Sequence, residues 1–361
     1  MKKLVRVLLY LFLLVVGYVA FVLIYGTIND YKAPEQENIE SYSNAELDVI
    51  RDSVLSFAIW NIGYSGLGAQ SDFFYAGGGM LLSGGHDVRP TKALNEQYLQ
   101  GIKQWFSSTK SDFFLLQEVD RNSKRSYKVD HFATLSDLKK EYFAGFGLNY
   151  RSPWVPLPLF EPWNTMGKVE SGLGTYARFQ PTSSNRYQLP GEYSWPTKIF
   201  QLDRCAAVFR FPHVNGKELV VINVHNSAFD KGGVLKKQQM DFLKEFFLTE
   251  YEKGNYVIAG GDWNQCPPFF RKDGFKPDDP EAEGLTNIES DFMPSDWTWA
   301  YDPTMPTNRS VTKPLDLGNT FVTLIDFFLV SPNVNVLKLK GMNLNFASSD
   351  HQPLYMEVEI R

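Results

Sequence analysis

Five short apolar runs in this chain stop at residues that can do chemistry: SFAIWN (56–61), DFFLLQE (112–118), ELVVINVHN (218–226), VIAGGDWN (257–264) and TLID (323–326). Runs this short and dense read as strands covered on both faces, since apolar residues at nearly every position leave no face for water. Gathered at one sheet edge, their ends would bring together Asn61, Glu118, His225 with Asn226, Asp262 with Asn264, and Asp326. A sixth group, Ser349, Asp350 and His351, precedes a last strand in which Leu354, Met356, Val358 and Ile360 alternate with Tyr355, Glu357 and Glu359, the period of a half-exposed strand. Each group has an ordinary explanation, because Asp, Asn and Gly dominate turns for purely conformational reasons. Their recurrence does not.

Helix-period stretches lie between the strands. Leu94, Tyr98, Ile102, Trp105 and Phe106 recur at spacings of three and four, as do Leu235, Gln239, Phe242, Leu243, Phe246 and Phe247 before Gly254 ends the pattern. Strands and helices thus mix through one α/β region, expected over 51–361. Residues 62–90 and 150–200, rich in Gly, Pro and aromatics, read as long loops that shape a site or a surface. Among them Trp154, Phe160 and Trp163, set between prolines, suit either a membrane interface, where amphipathic rings are favoured, or a lid over the domain.

The first thirty residues differ in kind. Lys2, Lys3 and Arg6 precede nineteen uncharged, mostly apolar positions, 7–25, which as a helix would span roughly 28 Å. A cleaved signal peptide usually has a shorter apolar region and a small-residue cleavage site, so an uncleaved transmembrane anchor over 1–29 is the expectation and a signal peptide the alternative. The basic residues before the span put the N-terminus in the cytoplasm and the remaining chain outside it. Residues 30–50, polar and acidic, read as a tether between anchor and domain.

Composition narrows the classes further. Hydrophobic residues make up 43% of the 361, enough for a substantial core, and 36 Lys and Arg against 41 Asp and Glu exclude a globally basic nucleic-acid binder. Two cysteines, Cys205 and Cys266, exclude a disulfide scaffold and a Cys-rich zinc site, with their pairing left open. YAGGGMLLSGGHD (75–87) lacks the ending of a phosphate-binding loop, and KDGFKPDDPEAEG (272–284) lacks the calcium-loop ligand spacing. Hard cations such as Mg2+ need only one or two carboxylates plus substrate phosphate, which Glu118 and Asp350, with Asn61 nearby, would supply. A His held by a carboxylate has the tautomer and basicity of a general base.

The segments WN (60–61), QE (117–118), NVH (223–225), GDWN (261–264), ID (325–326) and SDH (349–351) resemble, in order, those of the endonuclease/exonuclease/phosphatase superfamily, which includes abasic-site endonucleases, deoxyribonucleases, neutral sphingomyelinases and inositol-phosphate 5-phosphatases. The likeness implies a four-layer α-β-β-α sandwich, two mixed β-sheets face to face with helices outside, and a divalent-metal site, Mg2+ or Mn2+, at the sheet edge. By it, Glu118 is the principal metal ligand with Asn61 and Asp350 as neighbours. Asp262 and Asn264 orient water and phosphate, His225 donates to the phosphate, and His351, paired with Asp326, is base or transition-state donor. Whether Asp262 or His351 takes the proton stays open. So do Asp230 and Lys231, which suit substrate contact or a solvated loop, and Arg204, read as an exposed strand arginine in preference to a phosphate contact. The implied function is a membrane-anchored, monomeric phosphoesterase acting on a phosphodiester or phosphomonoester, lipid headgroup or small molecule. An extracytoplasmic nuclease, with nucleic acid as substrate, and a catalytically silent binding protein are the alternatives.

Overall fold

Two seven-stranded sheets lie face to face in the computed structural model, which describes residues 2–42, 44–228, 230, 233–271, 275 and 285–360. The first runs β1 (Gln36–Asn38), β7 (Ser183–Gln188), β8 (Cys205–Pro212), β9 (Glu218–His225), β10 (Tyr256–Asp262), β14 (Asp326–Val330) and β11 (Thr298–Ala300). The second runs β15 (Val334–Gly341), β16 (Leu354–Ile360), β3 (Val54–Asn61), β4 (Phe113–Asp120), β6 (Gly167–Ala177), β5 (Phe143–Val155) and β2 (Glu40–Tyr42). Both are mixed: β9–β10 and β3–β4 are parallel, while the other strand pairs within these sheets are antiparallel. A ribbon of β12 (Asn308–Arg309) and β13 (Val322–Thr323) stands beside them.

The dense strands are buried on both faces because each face has its own core. In β3, Phe57 and Ile59 point between the sheets with Phe113, Phe209, Val221, Ile258 and Phe328. Ala58 and Trp60 point outward with Ile102, Trp105 and Phe106 of α2 (Lys92–Ser108) and Phe132 of α3 (His131–Ser136). Behind the first sheet, Leu243 and Phe247 of α4 (Val234–Glu252) cover Val220, Ile222 and Phe327. The result is the four-layer α-β-β-α sandwich that the resemblance implies. Thr91 caps α2 through its side chain, and Asp130 caps α3, whereas Gly254, at φ +79°, follows the end of α4.

Two expectations change, and one open question closes. Residues 36–42, inside the presumed tether, form β1 and β2, one edge strand on each sheet, and Ile50 is fully buried. Short polar strands show no apolar period and so escape pattern reading. The supposed loop 150–200 holds the end of β5 and all of β6 and β7, with irregular chain confined to 156–166, 178–182 and the stretch after 188. Cys205 and Cys266 are both free and buried. Lys231 and nearly all of 272–284 fall outside the described residues.

At the N-terminus, α1 (Lys2–Ile28) is long and apolar enough to cross a membrane and is almost wholly unburied by the rest of the chain. Its last turns do touch the domain: Tyr18 and Phe21 each lie 6.0 Å, ring to ring, from Trp154. Phe160 and Trp163, in contrast, are exposed, so of the three aromatics only Trp154 is packed.

Candidate active site

Register places the site. Asp262, the last residue of β10, stands opposite His225 on β9 and Asp326 on β14, so three side chains meet at one level on one edge. Asp326 therefore opens its strand, where the other two close theirs. On the facing sheet Asn61 ends β3 opposite Gln117, one residue before Glu118. Two backbone features aim these groups. Glu118 sits at φ +55° where the β4–β6 register shifts, a bulge that turns its carboxylate out of the ladder. Gly261 sits at φ +142°, and a Cβ there would collide with Val224 O, so only glycine lets β10 run tight against β9 up to Asp262.

Asp262 is the hub. Its Oδ2 accepts from Asn61 Nδ2 at 3.0 Å and lies 3.3 Å from His225 Nε2 and 3.8 Å from His351 Nε2. Its Oδ1 accepts from Asn264 N at 2.9 Å, and Asn264, at φ +51°, anchors its own amide on Asn226 O. His351 Nδ1 meets Asp326 Oδ2 at 2.8 Å, and Thr307 holds the backbone N–H groups of Ile325 and Asp326. The structure thus gathers His225, Asp262, Asn264, Asp326 and His351, with Asn61 joined to them directly.

The two histidines differ in charge. Burial, reinforced by Arg204, pushes His225 well below the usual imidazole range, so it is neutral. Burial also opposes charge on His351, but Asp326, Asp350 and Asp262 outweigh it and raise its pKa, so it is the cation. Its Nε2 faces the Asn308 amide at 3.0 Å. An imidazolium N–H needs the amide oxygen there, and the two amide orientations are interchangeable by a flip.

Glu118 and Asp350 supply the remaining negative charge. Burial raises Glu118 above the usual carboxylate range, with Arg125 opposing and Asp350 adding to the shift. Its Oε2 is buried and has no hydrogen-bond partner among the described residues. Burial also raises Asp350, whose Oδ1 lies 3.4 Å from Ser349 Oγ and would be 2.9 Å from a Cβ at Gly63. Asn61 Oδ1 accepts only from Gly63 N, at 3.0 Å, keeping a second lone pair free. An orphaned carboxylate oxygen within the electrostatic reach of a second carboxylate, on a strand paired with the one that ends in the Asn61 amide, suits a hard, oxygen-seeking cation. Asp262, Asp326 and His351 also offer ligand atoms within 4.8 Å of one another. That trio is already committed to the 2.8 Å Asp–His bond and includes a nitrogen, which makes it the poorer match for Mg2+.

Arg204 departs from its sequence reading. It is 6% exposed, directly before β8, and lines a small cleft with Tyr193, Gln201, Leu202, Ser227 and Ala228. Its side chain makes no ion pair among the described residues, and Nη1 has no hydrogen-bond partner. Burial lowers its pKa against the opposing pull of Asp262 and Glu118, which places the guanidinium within their field. A strand-edge arginine reads as exposed because sequence does not show what packs over the edge. Asp230, for its part, accepts from Lys236 N at 2.8 Å and so braces the first turn of α4.

Several supporting residues escaped sequence reading. Arg125, paired with Asp120 at 2.9 Å, lies 3.7 Å above the Tyr64 ring beneath Glu118. Arg309 donates to the carbonyls of Leu67, Gly68 and Ser71, fixing the turn after Asn61.

Comparison with known proteins agrees with this geometry. The family model described as Endonuclease/Exonuclease/phosphatase family matches residues 58–351. An endonuclease/exonuclease/phosphatase from Beutenbergia cavernae aligns over 86% of this chain and 72% of its own, at 16% identity and TM-score 0.55. ANGEL2, described as a 2',3'-cyclic phosphatase, aligns over 90% of this chain and 99% of its own at 14% identity and TM-score 0.52. Caenorhabditis elegans TDP2 aligns over 85% and 98%, at 13% and 0.50. No curated protein sequence matches.

Proposed function

The chain belongs to the endonuclease/exonuclease/phosphatase family, and on that premise we propose that it is a membrane-anchored, divalent-metal-dependent phosphoesterase acting on a lipid headgroup or small phosphodiester. One observation carries the reading: a buried carboxylate oxygen on Glu118 and a buried guanidinium nitrogen on Arg204 both lack a hydrogen-bond partner among the described residues, and the two groups lie within each other's electrostatic reach. Leaving a buried charge uncompensated costs several kcal/mol. A cation against Glu118 and a phosphate against Arg204 would compensate both.

Glu118, Asp350 and Asn61 would hold the cation, with Mg2+ or Mn2+ supplying positive charge to the phosphoryl oxygens when bound. Asp262, anchored through Asn61 and Asn264, is placed to accept a hydrogen bond from a water and to take its proton. His351, kept cationic by Asp326 and oriented through Nε2 by Asn308, brings positive charge to the developing negative charge on the phosphate. His225 is neutral and offers an N–H without adding charge. Two imidazoles in opposite protonation states around one carboxylate divide the work between orientation and charge stabilisation. Asp262 is the base in this scheme, since a protonated His351 has no lone pair at Nε2 to accept with.

The test is hydrolysis by the full chain, in detergent or vesicles with Mg2+ or Mn2+, of sphingomyelin, inositol phosphates, DNA and a chromogenic phosphodiester. Turnover of a lipid or small diester that excess EDTA abolishes supports the reading. Full activity in EDTA refutes it. Efficient DNA cleavage falling steeply with salt assigns the nuclease reading instead.

A further inference from the structure

Two loops outside the reaction share an apolar surface. Leu159 N donates to Met80 O and Phe160 N to Leu81 O, each at 2.9 Å, so residues 80–82 and 157–163 lie side by side. They carry Met80, Leu81, Leu82, Phe160 and Trp163, between 51% and 77% exposed. The surface is nevertheless held firmly. Glu161 accepts from Ser83 N and Oγ at 2.8 and 2.9 Å, and beneath lies a satellite core of Phe74, Val88, Tyr150, Val155, Met166 and Val169. A fixed, contiguous apolar patch on a polar domain marks an interaction surface.

The first helix indicates what covers it. Besides the Tyr18 and Phe21 contacts with Trp154, Gly26 is seated against Ile199 and Trp195 Nε1 donates to Thr27 Oγ1 at 3.0 Å. Trp154 in turn donates to Thr165 Oγ1, at the base of the 157–163 loop. Residues 18–28 therefore lie against the domain and only 2–17 stand clear. Those residues span roughly 24 Å as a helix, against about 30 Å of bilayer hydrocarbon. A bilayer thick enough to cover the apolar helix thus reaches Tyr18 and Phe21, and with them Trp154 and its neighbours.

We propose that the loops 80–82 and 157–163 form a membrane seat, inserting into the interfacial layer of the same bilayer that α1 crosses. The proposal rests on α1 being an uncleaved span. Aromatic rings among aliphatic side chains suit that layer. The seat and the cleft share a support: Leu202 packs on the satellite core and also lines the cleft with Arg204. Insertion would fix the cleft's orientation to the lipid headgroups, where a flexibly tethered domain would tumble.

The full chain, reconstituted in phosphatidylcholine vesicles, offers a direct test. Cys205 and Cys266 are buried and leave the surface free for labelling, so Leu82→Cys, Phe160→Cys and Trp163→Cys each take one environment-sensitive fluorophore. Leu337→Cys on β15, also exposed, is the control. The seat predicts blue-shifted emission and quenching by brominated acyl chains at least about twofold that of the control. Quenching equal to the control refutes it, as does a blue shift without lipid quenching, which would assign the patch to a protein partner. Carbonate extraction separates the two premises: a chain that washes off the vesicles refutes the span and the seat together, while a retained but unquenched chain refutes the seat alone.

Discussion

Acidification should destabilise this fold through His131, and the size of the effect follows from its surroundings. The residue is fully buried at the first position of α3, and burial pushes its pKa down to about 4. Its Nε2 lies 3.1 Å from Ser65 Oγ, and its Nδ1 is buried with no hydrogen-bond partner among the described residues. Protonation makes both ring nitrogens donors, so it would leave a buried N–H unpaired at Nδ1 and place a cation at a helix N-terminus. The sign is set by which state binds the proton first. An unfolded histidine protonates near pH 6.5 and the folded one near 4, so there is no contribution at pH 7.5, and stability falls as pH drops through that window. Between pH 7.5 and 5 the loss is about 2 kcal/mol. His131→Gln keeps a hydrogen-bonding group beside Ser65, able to donate or accept, and removes the titration. Urea unfolding of the chain and the variant at both pH values isolates the effect, because other titrating groups cancel in the difference. The gap between the two proteins should change by about 2 kcal/mol in the variant's favour at pH 5. An unchanged gap would show that His131 is hydrated or already protonated, and the reasoning would fail.

Glu118→Gln, Asp262→Asn and His351→Ala should each lower turnover by at least ~100-fold on any accepted substrate, while His213→Ala leaves it intact. Wild-type turnover in Glu118→Gln would remove that carboxylate from the metal site. Arg204→Met should raise KM for a phosphate ester by ~10–100-fold with stability unchanged or improved, since it removes a buried, uncompensated cation. A loss of folding would mean that the arginine is structural. A chain beginning at residue 30 should fold, whereas one beginning at residue 45 lacks β1 and β2 and should lose about 2 kcal/mol or more, the burial of Ile39 alone contributing that much. Equal denaturation midpoints would show that the edge strands are dispensable.

The dense strands were legible because burial on both faces leaves an apolar signature at nearly every position, and the chemistry-bearing residues were legible because they interrupt it. Asn61, Glu118, His225 and Asp262 stood out for that reason, and register then brings them to one edge. What stayed hidden depends on long-range packing or local backbone. Nothing in DFFLLQEVD announces the bulge that puts Glu118 at φ +55°, and nothing in LDRC shows that Arg204 is buried in a cleft with Tyr193, Gln201, Leu202, Ser227 and Ala228. QEN and ESY are too short and polar to reveal the edge strands at 36–42. Asn308, which meets His351 Nε2, lies in PTNRS, a stretch whose composition suggests only a turn.

Beneath the site, Gln117 Nε2 donates to Asn223 Oδ1 at 2.7 Å across the gap between the sheets, and Asn223 donates back to the carbonyls of Leu116 and Gly174. Hydrocarbon surfaces are nearly indifferent to small translations, so an all-apolar interlayer could settle in several neighbouring alignments. Two amides locked in one pairing cannot. Sliding one sheet by a single residue, about 3.4 Å, would strand both in a dry interior at about 1–3 kcal/mol each. Gln117 adjoins Glu118, and Asn223 sits two residues before His225. The pair therefore works as an indexing pin, holding the tolerance between the Glu118-bearing half of the cleft and its histidine-bearing half to less than one residue's spacing.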